Sequence, residues 1–278
     1  MKSSGFHLAV VVGAFITSVL TALANVLIAR TTTIDVFTFS VLFVLPIGAL
    51  LIGAGGASGG LLACRYFNVR PTAIDFVVMV VIGAFTMWLI YYLDYRTLVL
   101  EDGRRASEIV PFGTYFDLVT TKSHLRVGRG QTDTGEVGSY GYWLVFFKFI
   151  GVLIGGAAVF AFLKGMAFCE SCRVYFKKLA KRSTSQMTPE EGQTLYNMLH
   201  GGTVDAYQAA LDMKPSDTTN KKERTVMATF TLMGCPKCKL QFMSEEFQAL
   251  KGNEWRELKE LSRRTDMPAD VDMRPFVR

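Results

Sequence analysis

Charge is what this chain of 278 residues has least of. Asp, Glu, Lys and Arg make up 19% of it, against roughly 25% in soluble domains, and within its long apolar stretches they nearly vanish. Ion-coupled transporters and proton pumps hold ionisable groups near mid-bilayer, so their scarcity here argues against transport. Lys148 lies close enough to Tyr142 for its ammonium to snorkel to an interface. Asn25 is expected to bond a neighbouring helix, and His7 precedes the first apolar core. The net charge of +6 is spread too thinly to form a nucleic-acid footprint. Histidine is also rare, with three in all. His124 has no second histidine or cysteine nearby, which makes it a surface or turn residue.

Long apolar runs, by contrast, are plentiful. A spanning helix needs about 20 mainly apolar residues, because unpaired backbone groups in hydrocarbon are too costly for open structure. Four stretches qualify, at about 8–29, 36–63, 74–93 and 142–163. Thr32 with Asp35, and Thr72 with Asp75 just after Pro71, fit the capping-box pattern that starts helices. Trp88, Tyr91, Tyr92 and Tyr95 end the third run, and Tyr140, Tyr142 and Trp143 begin the fourth, which suggests one aromatic belt. Lys2, the apolar core and Ala22-Leu23-Ala24 also fit a cleaved signal peptide. The run continues through Val26-Leu27-Ile28-Ala29 to spanning length, which favours a retained helix.

Lys2, Arg65, Arg70, Lys164, Arg173, Lys177 and Lys178 fall near the ends on one side, against Arg30, Arg96, Arg104, Arg105 and Arg129 on the other. The positive-inside rule then puts both termini in the cytoplasm. All five cysteines, Cys64 included, fall on that side, where a reducing milieu keeps thiols free for metal.

The second run contains Pro46 and a glycine-rich stretch, with small residues four apart at Gly55/Gly59, Gly56/Gly60 and Ala49/Gly53/Ala57. Gly151 and Gly155 repeat that spacing in the fourth run, with Lys148 on the same face. Small residues four apart let helix backbones pack closely, within one chain or between chains. An unwound stretch exposing carbonyls to an ion is the sharper alternative.

Between the third and fourth runs lies a loop, residues 94–141, long enough for a small subdomain. Leu98 to Arg105 reads as a hairpin around Asp102-Gly103, and Ser123 to Gly130 as a strand leaving into a turn. Asp117 and Asp133 could be paired as acid and base, but carboxylates in a polar loop are ordinarily solvated. No catalytic residues are assigned, and recognition is the better expectation for this loop.

The remainder, residues 166–278, opens on Cys169-Glu-Ser-Cys172 and later carries Cys235-Pro-Lys-Cys238. A two-residue spacer turns both thiolates of a pair toward one tetrahedral metal, so two such pairs supply a Cys₄ set. Val174 to Arg182 reads as a basic helix beside the bilayer. Thr188-Pro189-Glu190-Glu191 starts a further helix that His200-Gly201-Gly202 ends, and a second runs from about Val204 to Met213. These helices, within 188–213, form an insertion between the pairs, followed by a polar linker from Lys214 to Glu223. Asn253 to Arg264 places Trp255, Leu258 and Leu261 at helical spacing, predicting an amphipathic helix over the metal module, with partner binding as the alternative.

Strand, Gly-Cys-Pro-x-Cys, strand resembles the half-site of zinc-ribbon and rubredoxin-like modules, over Cys169 to Cys172 and about Val226 to Phe242. That resemblance implies Cys169, Cys172, Cys235 and Cys238 as ligands of zinc, with iron as the alternative occupant. The 62 residues between Cys172 and Cys235 exceed the spacing of a plain ribbon, so pairs from two subunits could also meet. Phe230 to Lys239 also resembles the strand-to-helix active site of glutaredoxins, where the first cysteine of a CPxC pair is a low-pKa nucleophile. The expectation is a four-helix transmembrane bundle, residues 1–165, with a small cytoplasmic α+β zinc-ribbon-like module. It would sit in a bacterial inner membrane and associate with itself or another membrane protein through its glycine-rich faces. It would serve assembly, scaffolding or signalling. A membrane thiol-disulfide oxidoreductase using Cys235 and Cys238, and a small oligomeric channel, are the alternatives.

Overall fold

The computed structural model describes residues 4–32, 35–40, 46–100, 103–127, 132–200, 204–213, 224–267 and 273. The chain divides into two compact units, Met1–Met166 and Ala167–Arg278.

In the first unit, α1 (Ser4–Thr32) is followed by a 3₁₀ turn (Val36–Thr38), α2 (Ile47–Phe67) and α3 (Ala73–Thr97). Two short helices, α4 (Ala106–Ile109) and α5 (Phe112–Thr121), and a hairpin of β1 (His124–Val127) with β2 (Thr132–Glu136) lead to α6 (Tyr140–Gly165). Four of these helices, α1, α2, α3 and α6, are long and apolar enough to cross a membrane.

Pro46 starts α2 rather than lying inside it, because a residue without N–H and with fixed φ is suited to a helix start. The expected continuation back to Val36 is instead the 3₁₀ turn, capped by the Asp35 side chain on the Phe37 N–H; residues 41–45 lie outside the described set. Thr33 and Ile34 do too, and Thr32 belongs to α1. Lys2, Arg129, Glu101-Asp102 and the Gly128-to-Gly130 turn also fall outside. At α3 the capping box of Thr72 and Asp75 is complete. Its carboxylate also bonds His7 Nδ1 on α1 at 3.0 Å.

The glycine-rich stretch is continuous helix within α2 and sits at its closest contacts. A Cβ on Gly59 would come within 1.9 Å of the Gly13 carbonyl oxygen on α1, and one on Gly53 within 2.1 Å of Val152 O on α6. Gly155 approaches Leu50 O in the same way. Gly59→Ala is therefore expected to push α1 from α2 and destabilise the bundle by about 1–3 kcal/mol. Gly113→Ala, where a Cβ meets nothing within 4 Å, should be neutral. Thermal unfolding of the detergent-solubilised protein distinguishes the two.

Between α3 and α6, α4 packs against α3, and α5 against both α3 and α6, at one end of the bundle. Val99 pairs with Arg105 around Gly103 at φ 80°, a short hairpin. Tyr95 is buried with Ala106 and Tyr115 and donates to Val110 O at 3.0 Å. Tyr91 meets the Phe37 and Phe116 rings edge-on. Thus of the expected aromatic belt only the outward rings, such as Trp88, Tyr140 and Trp143, remain exposed. Asp117 accepts from Tyr142 Oη at 2.5 Å; the side chain of Asp133 is outside the described set. Asn25 bonds the neighbouring 3₁₀ turn, donating to its N-cap Asp35 and accepting from the Phe37 N–H. Lys148 sits over the Phe37 ring at the same end instead of reaching out alone.

The second unit is a sheet with helices on one face. β3 (Phe168–Cys169) and β4 (Val174–Tyr175) form a hairpin. Next come β5 (Lys177–Ser183), α7 (Pro189–Leu199), α8 (Val204–Asp212), β6 (Val226–Gly234), β7 (Gln241–Lys251), β8 (Glu254–Glu257) and β9 (Arg263–Asp266). The order is β5-β6-β7-β8, and β9 also pairs with β7. Val226, Ala228, Phe230 and Leu232 alternate along β6 onto a core completed by Leu195 and Leu199 of α7 and Tyr207 of α8. Thr188 and Glu191 form the capping box of α7, and His200 is its C-cap; Gly201-Gly202 and the linker from Lys214 to Glu223 are outside the described residues.

Two expected helices are strands. Val174 to Arg182 contributes β4 and β5, because the edge of β6 offers an unpaired ladder that overrides the helix propensity of its Lys, Leu and Ala. Asn253 to Arg264 contributes β8, a turn and the start of β9. Gly252 at φ 66° lets the chain reverse over Gly252-Asn253 into a hairpin with β7. Leu258 and Leu261 still pack against the core, from a turn.

Candidate metal centre

Each cysteine pair lies in a tight reversal. Cys169 pairs with Val174 across β3 and β4, and the Cys235 N–H donates to Leu240 O at 2.8 Å. The residue after each second cysteine is left-handed: Arg173 at φ 51° and Lys239 at φ 60°. Such a backbone costs a non-glycine residue roughly 1–2 kcal/mol and persists where its surroundings dictate it. Lys239→Gly is accordingly expected to be neutral or to stabilise this unit by up to about 1 kcal/mol, and Lys239→Val to destabilise it by about 1–3 kcal/mol. Thermal denaturation followed by circular dichroism checks both.

Strand pairing brings the reversals together. β5 leaves the β3–β4 hairpin directly and pairs with β6, Lys177 opposite Gly234 and Lys178 opposite Met233. The first reversal therefore adjoins the end of β6, where the second begins. The long spacing between the pairs is taken up by α7 and α8, so both halves come from one chain. The four Sγ atoms, of Cys169, Cys172, Cys235 and Cys238, all lie within 4.8 Å of one another, with Cys169 and Cys238 3.7 Å apart. Thiolates held tetrahedrally at about 2.3 Å from an ion would be about 3.8 Å apart. All the cysteines are free of disulfides, and this tetrad could bind a metal ion.

The electrostatics favour a cation. Burial opposes ionisation of Cys235, but the backbone N–H groups of Cys238 and Lys237, with the neighbouring thiols, outweigh it and bring the thiol down to about 7. Hydrogen bonding to Cys238, then burial, pushes Cys172 up to about 12. One thiolate raises the cost of the next, so the set ionises fully only around a compensating positive charge.

The centre has its own small core. Cys169, Val174 and Cys235 are buried together against Phe176. The Phe176 ring meets Phe242 at 5.0 Å, and the Arg264 guanidinium stacks 3.7 Å above Phe242. Cys238 is exposed at the rim, whereas Cys64 belongs to α2 in the other unit. β7, not a helix, follows Cys238. The aromatic–arginine stack was not read from sequence, since its members come from three separate strands or their flanks. Protein-family models, curated proteins and solved structures were all compared with the chain, and none matches.

Proposed function

We propose that this is an integral membrane protein whose C-terminal unit is a cytoplasmic, zinc-stapled module serving assembly, scaffolding or signalling. The convergence of four cysteine sulfurs to within 4.8 Å is the observation that carries the zinc assignment. A Cys₄ set fills every position of a tetrahedral ion and leaves none for substrate, as structural zinc sites do. Iron suits the same ligands. Membrane insertion is supported by large apolar side chains on the outer faces of the long helices. Leu8 and Leu27 are each 64% exposed, an arrangement lipid tolerates and water penalises. The excess of basic residues beside Cys64 and the cysteine pairs supports cytoplasmic termini, and the inner membrane of a bacterium is the proposed location. The glycine faces of α2 and α6 are filled by the chain's own helices, so association with copies of the chain, or with another membrane protein, would use other helix faces.

The lowered Cys235 thiol favours a second reading, a membrane thiol-disulfide oxidoreductase working through Cys235 and Cys238. Against it, a glutaredoxin-type nucleophile is activated at a helix N-terminus, whereas here a strand follows Cys238. Thiol alkylation of the purified protein separates the two. The zinc reading expects the four thiols to resist alkylation until a chelator is added. The redox reading expects a reversible Cys235–Cys238 disulfide without any chelator.

A further inference from the structure

At the end of the bundle covered by α5, a cavity of about 320 Å³ lies between α1, the 3₁₀ turn, α3, α5 and α6. Small-molecule sites begin at about this size, roughly 300 Å³. Apolar side chains such as Val26, Ile90 and Val145 share its lining with four charged ones, Arg30, Asp35, Asp94 and Lys148. Those charges are unequally satisfied. Asp94 accepts from both Arg30 and the Tyr115 hydroxyl. Asp35 accepts from Asn25 Nδ2 at 3.1 Å and from the Phe37 N–H at 3.0 Å. The Lys148 ammonium, 5.3 Å from the centre of the Phe37 ring, has no hydrogen bond or ion pair among the described residues. Thr120 supplies a second unsatisfied group in the same lining: the residue is 3% exposed and its Oγ1 has no hydrogen-bond partner.

A buried hydroxyl without a partner, and a half-buried ammonium that the Asp35 carboxylate influences only from beyond ion-pair distance, both carry a free-energy cost that a suitable ligand relieves. The carboxylates of the lining already hold donors, so a cation gains little here. An oxyanion would give the ammonium a counter-charge within hydrogen-bond reach and the hydroxyl its acceptor, while the apolar wall takes a compact body. We propose that this cavity binds a small ligand bearing an anionic oxygen group, a carboxylate or phosphate, with Lys148 as its charge partner and Thr120 as a hydrogen-bond donor. The same chemistry is offered by a free organic acid and by the headgroup of an anionic lipid. The proposal is independent of the metal centre.

The test uses the full chain in phosphatidylcholine nanodiscs, with titration calorimetry and thermal unfolding as readouts. Benzoate and phenyl phosphate are the anionic probes, benzamide and benzylamine the neutral and cationic controls. Benzoate or phenyl phosphate should bind, and benzamide and benzylamine at least about tenfold more weakly, since hydrogen bonds to charged groups are the strong ones. Lys148→Met should weaken anion binding by about ten- to a hundredfold, Lys148→Arg by less, and Thr120→Val by a few fold. Lys148→Met should melt without ligand no lower than the unaltered protein, since it removes a half-buried charge that no ion pair holds; should it fail to fold, Lys148→Arg and Thr120→Val carry the comparison. A second arm replaces part of the phosphatidylcholine with phosphatidylglycerol. If the natural anion is a lipid headgroup, phosphatidylglycerol competes with benzoate and raises the melting temperature in a Lys148-dependent way; if it is a free acid, it does neither. Failure of benzoate, phenyl phosphate and phosphatidylglycerol alike at millimolar concentration overturns the proposal. So does anion binding undiminished by the Lys148 and Thr120 substitutions, or benzylamine binding as well as benzoate.

Discussion

Replacing Cys235 with Ser is expected to unfold residues 167–278 while the four long apolar helices stay folded. The site ties the β3–β4 hairpin to the reversal between the end of β6 and the start of β7, beyond what the pairing of β5 with β6 and of β6 with β7 supplies. Binding of a structural zinc to a cysteine set contributes on the order of 10 kcal/mol in isolated finger peptides. That is comparable with the whole stability of an ordinary domain, about 5–15 kcal/mol. A serine oxygen is a poor substitute for thiolate and leaves three sulfurs crowded without a compensating charge. The first unit has its own close-packed contacts, including Gly59 against Gly13 and Gly53 against Val152. Limited proteolysis of the purified variant should therefore digest the C-terminal unit and leave a resistant fragment near Met1–Met166. Equal resistance of both units would show that the sheet stands without the metal.

Truncating Glu245 should cost nearly as much, for a different reason. Its side chain lies inside the second unit with no exposed surface. It accepts from Tyr207 Oη, from Arg263 Nε at 2.8 Å and from Thr265 Oγ1 at 2.9 Å. Arg263 also donates to Leu199 O, at the C-terminal end of α7, where the helix leaves its last carbonyls unpaired. One carboxylate thus links α8, β7 and β9, and through Arg263 it reaches α7. Burial raises the Tyr207 phenol above its ordinary pKa, and the bond to Glu245 raises it further, so the hydroxyl remains a donor at physiological pH. Glu245→Ala leaves a guanidinium and two hydroxyls short of their acceptor, and removing one member of a buried ion pair costs about 3–5 kcal/mol. Arg263 is partly exposed, which places the expected loss near the lower figure. Glu245→Gln should cost less. Replacing Glu245, Tyr207 and Arg263 together with Leu, Phe and Met should recover much of the loss, because apolar packing can replace a satisfied network. Urea unfolding of the three variants reads the order directly; a Glu245→Ala protein as stable as the original would remove the network from the account.

What the sequence made legible is local. Capping boxes at Thr72/Asp75 and Thr188/Glu191 mark the starts of α3 and α7 because the signal lies within four residues. The long apolar runs are legible for a similar reason, since each satisfies its backbone within one helix. Two segments with good helical spacing became strands, because a partner far along the chain decided the matter: β6 for Lys177 to Ser183, β7 for Glu254 to Glu257. The second of these did carry a local sign. Gly252-Asn253 is a two-residue hairpin signal, although Trp255, Leu258 and Leu261 just after it fall at helical spacing.

The candidate centre is legible as two CxxC pairs, but not their convergence. That depends on the register between β5 and β6, and the intervening α7 and α8 conceal it. The bundle-end cavity was harder still. Asn25, Asp35 and Lys148 carry separate local signals, Thr120 carries none, and only the packing of α5 at the bundle end brings all four to one wall. Glu245 belongs to the same class, an ordinary strand glutamate until β9 and α8 pack around it.

Metal stoichiometry of the full chain, purified in detergent without chelator, tests the central claim most directly, with X-ray absorption at the metal edge reporting the donors. The account predicts one zinc per chain, surrounded by four sulfurs at about 2.3 Å, and loss of that metal in Cys235→Ser. A chain that holds no stoichiometric metal, or whose metal is bound by nitrogen and oxygen and survives that substitution, would contradict it.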